Sequence, residues 1–293
     1  MKPAVALIAL LLAAPQDAKV ELRLKYEKGQ VLRYKTVQKT VTEAAGNSLQ
    51  QQMGFVFSMK VEDVASDGAA ALKCTYEAVS VKATGLQDLD YDSEKDKEVP
   101  DEPMLQMVSK LVGQSFVMKM TPLGRVTDVK GFDKILETMM EAAGDEQGRQ
   151  MAKQMLQQVF SDDAFKSMMQ QMSPVLPEGK VGRGDTWTND YSVKLPMLGA
   201  IKYSVQSRLA DVQGKSAHID QDIKLELKPG ENQDNPLAGL FELKSSKGRS
   251  SCVFAVDRGL FLSQKVQMEM TLSAGGQEMP IKSEAETTLV EKK

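Results

Sequence analysis

The fold is decided by two stretches of equal length, GQSFVMKMTPLGRVTDVKG at residues 113–131 and GRSSCVFAVDRGLFLSQKV at residues 248–266. Each begins with a glycine, and each has a second glycine, Gly124 or Gly259, at the same distance from the first. Large apolar residues alternate with polar ones before that second glycine, which is typical of a strand. A tight turn needs the backbone freedom of glycine. Each stretch therefore predicts a β-hairpin.

Two further pairs of segments match in the same order along the chain. The segment KGQVLRY at residues 28–34 resembles RGDTWTNDY at 183–191, with a glycine and a polar residue just before a strand. The segment VEDVASDGAAAL at 61–72 resembles LADVQGKSAHI at 209–219, with a shared Asp-Val pair and a turn glycine. Three matches in one order indicate that a single β unit occurs twice.

Period-two alternation is strong in the first half of the chain. VELRLKY at residues 20–26 and FVFSMKV at 55–61 both predict half-buried strands. The alternation slips near Ala78, which predicts a β-bulge. The predicted fold class is α+β: a large, curved, internally duplicated antiparallel sheet, resembling half a barrel, with a methionine-rich helical insert packed on its concave face.

The helical insert follows the first hairpin. Apolar residues recur at helical spacing from Phe132 to Ala143 and from Phe165 to Met172. A shorter helix is predicted at 102–112. The predicted boundaries of the domain organisation are residues 1–18 for a signal peptide, 19–130 for the first β repeat, 131–173 for the helical insert and 174–293 for the second β repeat, with the two repeats forming one continuous domain.

The N-terminal sequence MKPAVALIALLLAAPQDA indicates export. Lys2 precedes an apolar run from Ala4 to Ala14, which is too short to span a bilayer and is followed by small residues. An uncleaved membrane anchor is the alternative, and Pro15 leaves the cleavage site open. No later segment is long and apolar enough for a membrane helix, so we expect a periplasmic or extracellular protein.

Composition and rare residue types argue against several function classes. The formal charge is −3 and the pI is about 5.5, so nucleic acid is not an expected partner. His218 is the only histidine and shares a polar strand face with Asp220 and Asp222, which disfavours a Ser-His-Asp triad and zinc hydrolysis. The acidic run at 88–94 lacks the turn glycine of a calcium loop and is interpreted as a solvated loop. No cofactor and no metal are expected.

The chain has two cysteines, Cys74 and Cys252, and both lie in strand-like segments. An exported protein can form a disulfide, but two thiols facing the core are equally compatible with this pattern. The sequence leaves both alternatives open.

The methionine stripes of the helical insert suggest a binding surface, because methionine is unbranched and polarizable and adapts to varied apolar ligands. Ordinary packing of helix against sheet is the alternative. The predicted ligand-binding residues are Met139, Met140, Phe165, Met168 and Met169.

The segments YEKGQVLRYKT, YDSEK, LVGQSFVMKMTPLGRVTDVKGFDKIL and LPEGKVGRGDTW together resemble a family of exported bacterial proteins that is described only as a domain of unknown function. The resemblance implies export and a bacterial origin, and it implies no activity. In shape, the expected arrangement is similar to the periplasmic lipoprotein carriers, whose half-open barrels hold acyl chains.

Three functions follow as hypotheses. The first is a non-enzymatic envelope binding protein that holds a lipid-like or other apolar ligand between sheet and helices. The second is a structural or protein-interaction module with a sealed core and an envelope protein as partner. The third is a hydrolase of unknown type, which the missing catalytic constellations disfavour.

Overall fold

The structure is a computed structural model, and it describes residues 19–44, 46–85, 88–141, 162–171, 173–195, 199–228 and 241–290. The signal peptide predicted for residues 1–18 lies outside the described residues, and so does the middle of the predicted insert, residues 142–161.

Most of the described chain forms strands of one antiparallel sheet. The twelve strands are β1 (Val31–Ala44), β2 (Asn47–Val64), β3 (Ala70–Thr84), β4 (Leu89–Asp92), β5 (Ser115–Met120), β6 (Val126–Lys130), β7 (Thr186–Leu195), β8 (Gly199–Gln213), β9 (Ser216–Lys228), β10 (Phe241–Ala255), β11 (Leu260–Ala274) and β12 (Gln277–Val290). Eleven of them follow the order β6-β5-β3-β2-β1-β12-β11-β10-β9-β8-β7, and β4 pairs with β3. The sheet is therefore an open meander whose two halves join where β1 pairs with β12.

Three helices lie in the described residues: α1 (Pro103–Ser109), α2 (Phe132–Glu141) and α3 (Asp162–Gln171). Helix α3 packs against both β6 and β7, which are the two terminal strands of the sheet. One helix can contact both edges only if the sheet bends, so the sheet curves around the space beneath α3. The predicted large antiparallel sheet is confirmed, whereas the α+β label and the helical insert are supported only in part, because the described fold is mainly one sheet with few helical residues.

The segment at residues 20–26 was expected to be a strand, and this prediction is wrong. Its alternation is present, since Leu22 and Leu24 are buried. However, it pairs with another segment only at an isolated bridge between Val20 and Val181, and beyond it the backbone bonds to turns. The N–H of Leu24 donates to the carbonyl of Pro122 (2.8 Å), and that of Lys25 donates to the carbonyl of Gly259 (3.0 Å). Alternation of apolar residues shows which side chains are buried. It does not show whether the backbone of the segment bonds to a neighbouring strand or to hairpin turns.

Both quoted stretches form hairpins. The first contains β5 and β6, and the second contains the end of β10 and the start of β11. The turn glycines have positive φ, 79° at Gly124 and 64° at Gly259. Each hairpin also has a register shift just before its turn, between Lys119 and Met120 in the first and between Val253 and Phe254 in the second. The predicted bulge near Ala78 is confirmed by a register shift in the β2–β3 pair.

A reciprocal pair of backbone hydrogen bonds occurs once in each half of the sheet. In the first half, the N–H of Gly29 donates to the carbonyl of Val61 (2.8 Å), and the N–H of Val61 donates to the carbonyl of Gln30 (2.9 Å). In the second half, Gly184 donates to Leu209 (2.8 Å) and Leu209 donates to Asp185 (3.0 Å). These residues belong to the segments matched in the sequence.

The segments that precede β1 and β7 cross over to the opposite hairpins. A Cβ on Gly259 would lie 2.7 Å from the carbonyl oxygen of Arg23, in the segment before β1. A Cβ on Gly124 would lie 2.6 Å from the carbonyl oxygen of Pro174, in the segment before β7. The segment before each of these strands, which we call the lead-in segment, therefore packs on the hairpin turn of the other half. Both turns require glycine because φ is positive there and because a Cβ atom would collide with the lead-in segment.

Candidate functional site

The space beneath α3 contains the main cavity of the described residues, with a volume of about 530 Å³. We call the face of the sheet that lines it the inner face. Strands β1, β2, β3, β5, β11 and β12 contribute side chains, and α3 covers them. Small-molecule sites usually have volumes of roughly 300–1,000 Å³. The cavity is thus large enough for a ligand of ordinary small-molecule size.

One wall of the cavity is aromatic and sulfur-rich. Alternation along β2 and β5 directs every second side chain inward, which brings together Phe55, Phe57, Met59, Phe116, Met118 and Met120. Cross-strand neighbours bring rings together: Tyr34 stacks on Phe57 with ring centroids 5.8 Å apart, and the ring of Tyr76 lies tilted to that of Phe116 with centroids 6.3 Å apart. This wall offers a polarizable surface with few hydrogen-bonding groups.

Helix α3 places two methionines against the cavity. Met168 and Met169 line it directly, whereas Phe165 is fully buried behind the wall and packs edge-on against Phe116, 5.4 Å away. The helix is fastened by Gln170, which accepts a hydrogen bond from the N–H of Val126 (2.8 Å) and donates to the carbonyl of Gly124 (3.0 Å). Residues of the first hairpin therefore hold the cover of the cavity.

The opposite wall, formed by β1, β11 and β12, carries more hydroxyl and carboxamide groups, and Phe261 and Val266 also line it. The hydroxyls of Thr36 and Thr287 are 2.8 Å apart, and Gln38 donates to the hydroxyl of Ser283 at 3.3 Å. Ala285 also lines this wall. None of the described residues that line the cavity is Asp, Glu, Lys, Arg or His. The cavity can therefore hydrogen-bond a ligand without offering it a charge.

Ionisable side chains along the cavity are held in their neutral forms. Burial raises the pKa of the Cys74 thiol to about 12 and that of Tyr76 to about 12. Burial raises the pKa of Tyr34 and of Tyr26 further still. Loss of hydration penalises charged forms. The same environment disfavours a charged group on any molecule inside.

A second, smaller cavity of about 120 Å³ adjoins the main one. The two share Ser173, Gln264 and Val266 as lining residues. The lining of the smaller cavity includes four carboxamide side chains, those of Gln170, Asn189, Gln221 and Gln264. Tyr191 and Tyr203 stack at 4.8 Å beside them. The smaller cavity is thus richer in hydrogen-bonding groups for its size.

Of the five predicted ligand-binding residues, the structure places Met168 and Met169 at the cavity. Phe165 supports the wall from behind, and Met139 packs half-buried against the core from α2. The side chain of Met140 lies outside the described residues. These placements leave the ligand-binding prediction itself untested.

Sequence reasoning missed the residues of the sheet that line the cavity. The clearest signal was the alternation of Phe55, Phe57 and Met59, since rings on the inner face of a strand are lining candidates wherever the core opens. Gln264 and Thr287 gave no such signal, because their relevance depends on pairing with strands far away in sequence.

The structure also places the two cysteines and the acidic segment that the sequence singled out. Cys74 and Cys252 are both free and buried, which is the second of the two alternatives that the sequence left open. The acidic loop was interpreted as a surface loop, but it contains β4, and Tyr91 is buried there. Asp92 bonds locally to Lys95 and to the N–H of Glu94. Within the described ranges, no group of three or more His, Cys, Asp or Glu residues could hold a metal ion.

No described helix is both long enough and apolar enough to cross a membrane.

Comparisons with solved structures concern the fold. A lipovitellin structure described in terms of lipid–protein interactions is 10% identical, with a TM-score of 0.52, and the match covers 91% of this chain and 26% of the lipovitellin chain. This chain thus spans about a quarter of the lipovitellin chain. The translocator domain of autotransporter NalP from Neisseria meningitidis matches with 6% identity over 90% of each chain, and its TM-score of 0.34 is too low to indicate a shared fold.

Comparisons of sequence give one family. No curated protein matches the chain. A family model matches residues 67–258, which is more than half of the 293 residues. The matched range includes the whole first hairpin and the first strand of the second hairpin, and it ends just before Gly259. The resemblance noted in the sequence was to a family without an assigned function, and this is confirmed. The chain belongs to the Family of unknown function (DUF6263).

Proposed function

We propose that this protein is a non-enzymatic binding protein of the bacterial cell envelope that holds a lipid-like or other apolar molecule between the sheet and helix α3. The observation that carries the proposal is the main cavity, about 530 Å³ in volume, whose described lining is rich in aromatic and methionine side chains and has no charged residue. Such a lining favours apolar ligands by removing their surface from water.

The proposed contact residues are Met168 and Met169 on α3 and Phe55, Phe57 and Met118 on the sheet. Phe165 and Met139 have supporting positions behind this surface. Methionines on a cover helix can repack around ligands of different shapes. We therefore expect the cavity to accept a class of related apolar molecules.

Two finer features of the architecture belong to the same proposal. We infer that the two halves of the sheet are copies of one unit, supported by the paired hydrogen bonds at Gly29 and Gly184 and by the matched hairpin turns. We also infer that the inner face is concave beneath α3, supported by the contact of this helix with both terminal strands. Export rests on the sequence of residues 1–18.

Displacement of a fluorescent acyl probe tests the proposal. The decisive variant is Ala285→Phe, because this residue lines the cavity on β12 and a phenyl ring there would occupy ligand volume. Thr288→Phe is the matched control, since Thr288 lies on the same strand and is exposed. We expect saturable probe binding that Ala285→Phe abolishes and Thr288→Phe preserves.

A protein-interaction module with a sealed core is the rival hypothesis. It predicts no saturable probe binding in either the native protein or the Thr288→Phe control. A second substitution separates the two views independently: Met168→Glu places a carboxylate on the cavity lining and should weaken probe binding at least tenfold, because burying a charge is costly. Unchanged affinity in this variant would count against the cavity as the binding site.

A further inference from the structure

We propose that the ligand is an uncharged amphiphile, whose apolar chain occupies the main cavity and whose small hydrogen-bonding head group, such as an amide or an alcohol, enters the adjoining smaller cavity. This inference rests on the proposed function and specifies the chemical class of the ligand. It comes from the different linings of the two cavities and from the residues that they share.

A set of polar side chains, which we call the polar row, crosses the inner face of the second half of the sheet on two neighbouring cross-strand rows. In the first of these rows Gln221 lies opposite Ser207 and Ser250, and the row continues through Val266. In the second, Gln264 lies opposite Cys252 and Thr287, and its side chain joins the two rows by donating to the hydroxyl of Ser250 (3.5 Å). Thr287 is opposite Thr36 at the junction of the two halves. The row therefore runs from the smaller cavity, which Gln221 lines, to the main cavity, which Thr36 lines.

Apolar residues flank the polar row. Leu209 and Ile219, which are fully buried or nearly so, continue the cross-strand row of Gln264 toward β8, and Val205 and Ile223 lie beyond Ser207 and Gln221 on the other side. Ser207, Gln221 and Ser250 are at most 6% exposed. Burying polar groups costs free energy even when they are bonded to each other, and an apolar core would serve stability equally well. The position of the row at the junction of two cavities indicates a role in recognition.

The carboxamides of this region are held in place by the protein. Gln221 donates to the hydroxyl of Ser207 (3.0 Å), Gln264 donates to that of Ser250 (3.5 Å), and Asn189 donates to the carbonyl of Val175 (3.5 Å). Each of these bonds uses one N–H, whereas a carboxamide has two N–H donors and a carbonyl acceptor. The carbonyl of Gln221 accepts a hydrogen bond from the Cys252 thiol (3.6 Å), so Gln264 and Asn189 are the groups that can offer both a donor and an acceptor to a head group that has both.

Charge argues against an ionised head group. The lining of the smaller cavity, like that of the main one, contains no acidic or basic residue among the described residues. An anion or a cation would lose its hydration there without gaining a counter-charge. A neutral head group loses less hydration and can replace it with hydrogen bonds to the carboxamides. A plain alkane would leave that hydrogen-bonding capacity unused.

Competition with the fluorescent acyl probe tests the inference with three ligands of equal chain length: dodecanamide, dodecanoate and dodecane. We expect dodecanamide to bind about tenfold more tightly than either of the others, the difference that one or two net hydrogen bonds supply. Gln264→Leu should remove this preference and keep the affinity for dodecane. Gln213→Leu is the control, since Gln213 is exposed and lines neither cavity.

The outcomes separate the inference from the proposed function. Equal affinities for dodecanamide and dodecane, or tightest binding of dodecanoate, would overturn the neutral amphiphile while apolar binding stands. Failure of all three ligands and of the probe to bind would overturn both. If Gln264→Leu does not fold, Asn189→Leu replaces it, because Asn189 lines the smaller cavity from β7, the terminal strand of the second half. Retention of the preference in the folded variant would contradict the assigned head-group site.

Discussion

In the first half of the sheet, β2, β3 and β5 line the inner face with phenylalanine, tyrosine and methionine, whereas in the second half, Gln221 and Gln264 line the smaller cavity and Ser207 and Ser250 lie opposite Gln221. The backbones of the two halves share hairpin turns and the same paired hydrogen bonds before β1 and before β7. The comparison teaches that backbone geometry and inner-face chemistry are separable: one arrangement of strands supports an apolar wall on one side and a hydrogen-bonding wall on the other.

The largest effect is expected in the apolar wall. Phe116 is 6% exposed and contacts the rings of Tyr76 and Phe165. Phe116→Ala should lower the free energy of unfolding by about 3–5 kcal/mol, through lost burial and a new cavity. Lys119→Ala is the control on the same strand, and because Lys119 is exposed it should change stability by less than about 0.5 kcal/mol. Urea unfolding followed by circular dichroism measures both, and a loss below about 1 kcal/mol for Phe116→Ala would contradict a packed wall.

The hairpin turns come next. Gly124 and Gly113 have φ of 79° and 84°, but a Cβ would meet the carbonyl oxygen of Pro174 at 2.6 Å only at Gly124, with nothing within 4 Å at Gly113. Gly113→Ala should cost about 1 kcal/mol through backbone strain alone, and Gly124→Ala about 2–3 kcal/mol through strain and collision. Equal unfolding midpoints for the two variants would show that the lead-in segment does not pack on this turn.

A smaller effect is expected in the polar wall. Gln221→Leu removes the hydrogen-bond partner of the buried Ser207 hydroxyl and should cost about 1–2 kcal/mol. The double variant Gln221→Leu, Ser207→Ala should recover part of this loss, because no buried hydroxyl then lacks a partner. Urea unfolding of the two variants checks this. A double variant that is less stable than Gln221→Leu would mean that the row contributes to stability by another route.

The smallest difference between the halves is expected at the cysteines. Burial raises the pKa of Cys74 and of Cys252 alike, from 9.0 to about 12. We therefore expect neither thiol to react with iodoacetamide at pH 8 in the native protein and both to react in urea, as intact mass would show. Failure to react in urea without a reductant would instead indicate a disulfide.

The same shifts set a pH dependence. In the unfolded chain the thiols lose protons once the pH passes about 9, whereas in the folded chain they stay protonated up to about 12. The stabilisation that depends on neutral thiols is complete below pH 9 and decreases through this interval. The melting temperature should therefore fall between pH 9 and pH 12, and a constant value there would contradict buried thiols.

Local periodicity in the sequence predicted much of the sheet. The features that it did not predict depend on pairing between residues far apart in sequence. The two hairpins, the antiparallel order and the bulge near Ala78 follow from glycine positions and alternation, which are properties of neighbouring residues. The segment at 20–26 was misassigned because its partners are the turns at Pro122 and Gly259, far away in sequence. Strand β4 was missed because acidic residues surround the single buried Tyr91.

The candidate site was predictable only on its helical side. Met168 and Met169 belong to a visible stripe, so the sequence pointed to them. The polar row could not be recognised, because Gln264, Thr287 and Thr36 become neighbours only through the register of β11, β12 and β1. From sequence alone, a glutamine at a polar position of an alternating strand is interpreted as exposed to solvent, because the strands that pair with it are not known.

The central claim is that the space beneath α3 binds an apolar molecule, and native mass spectrometry of protein purified from its own host tests it most directly. We expect a reproducible adduct on the native protein and on Thr288→Phe, and its loss from Ala285→Phe, whose ring would fill the cavity. A bare mass for the native protein, or an adduct that Ala285→Phe retains, would contradict this claim.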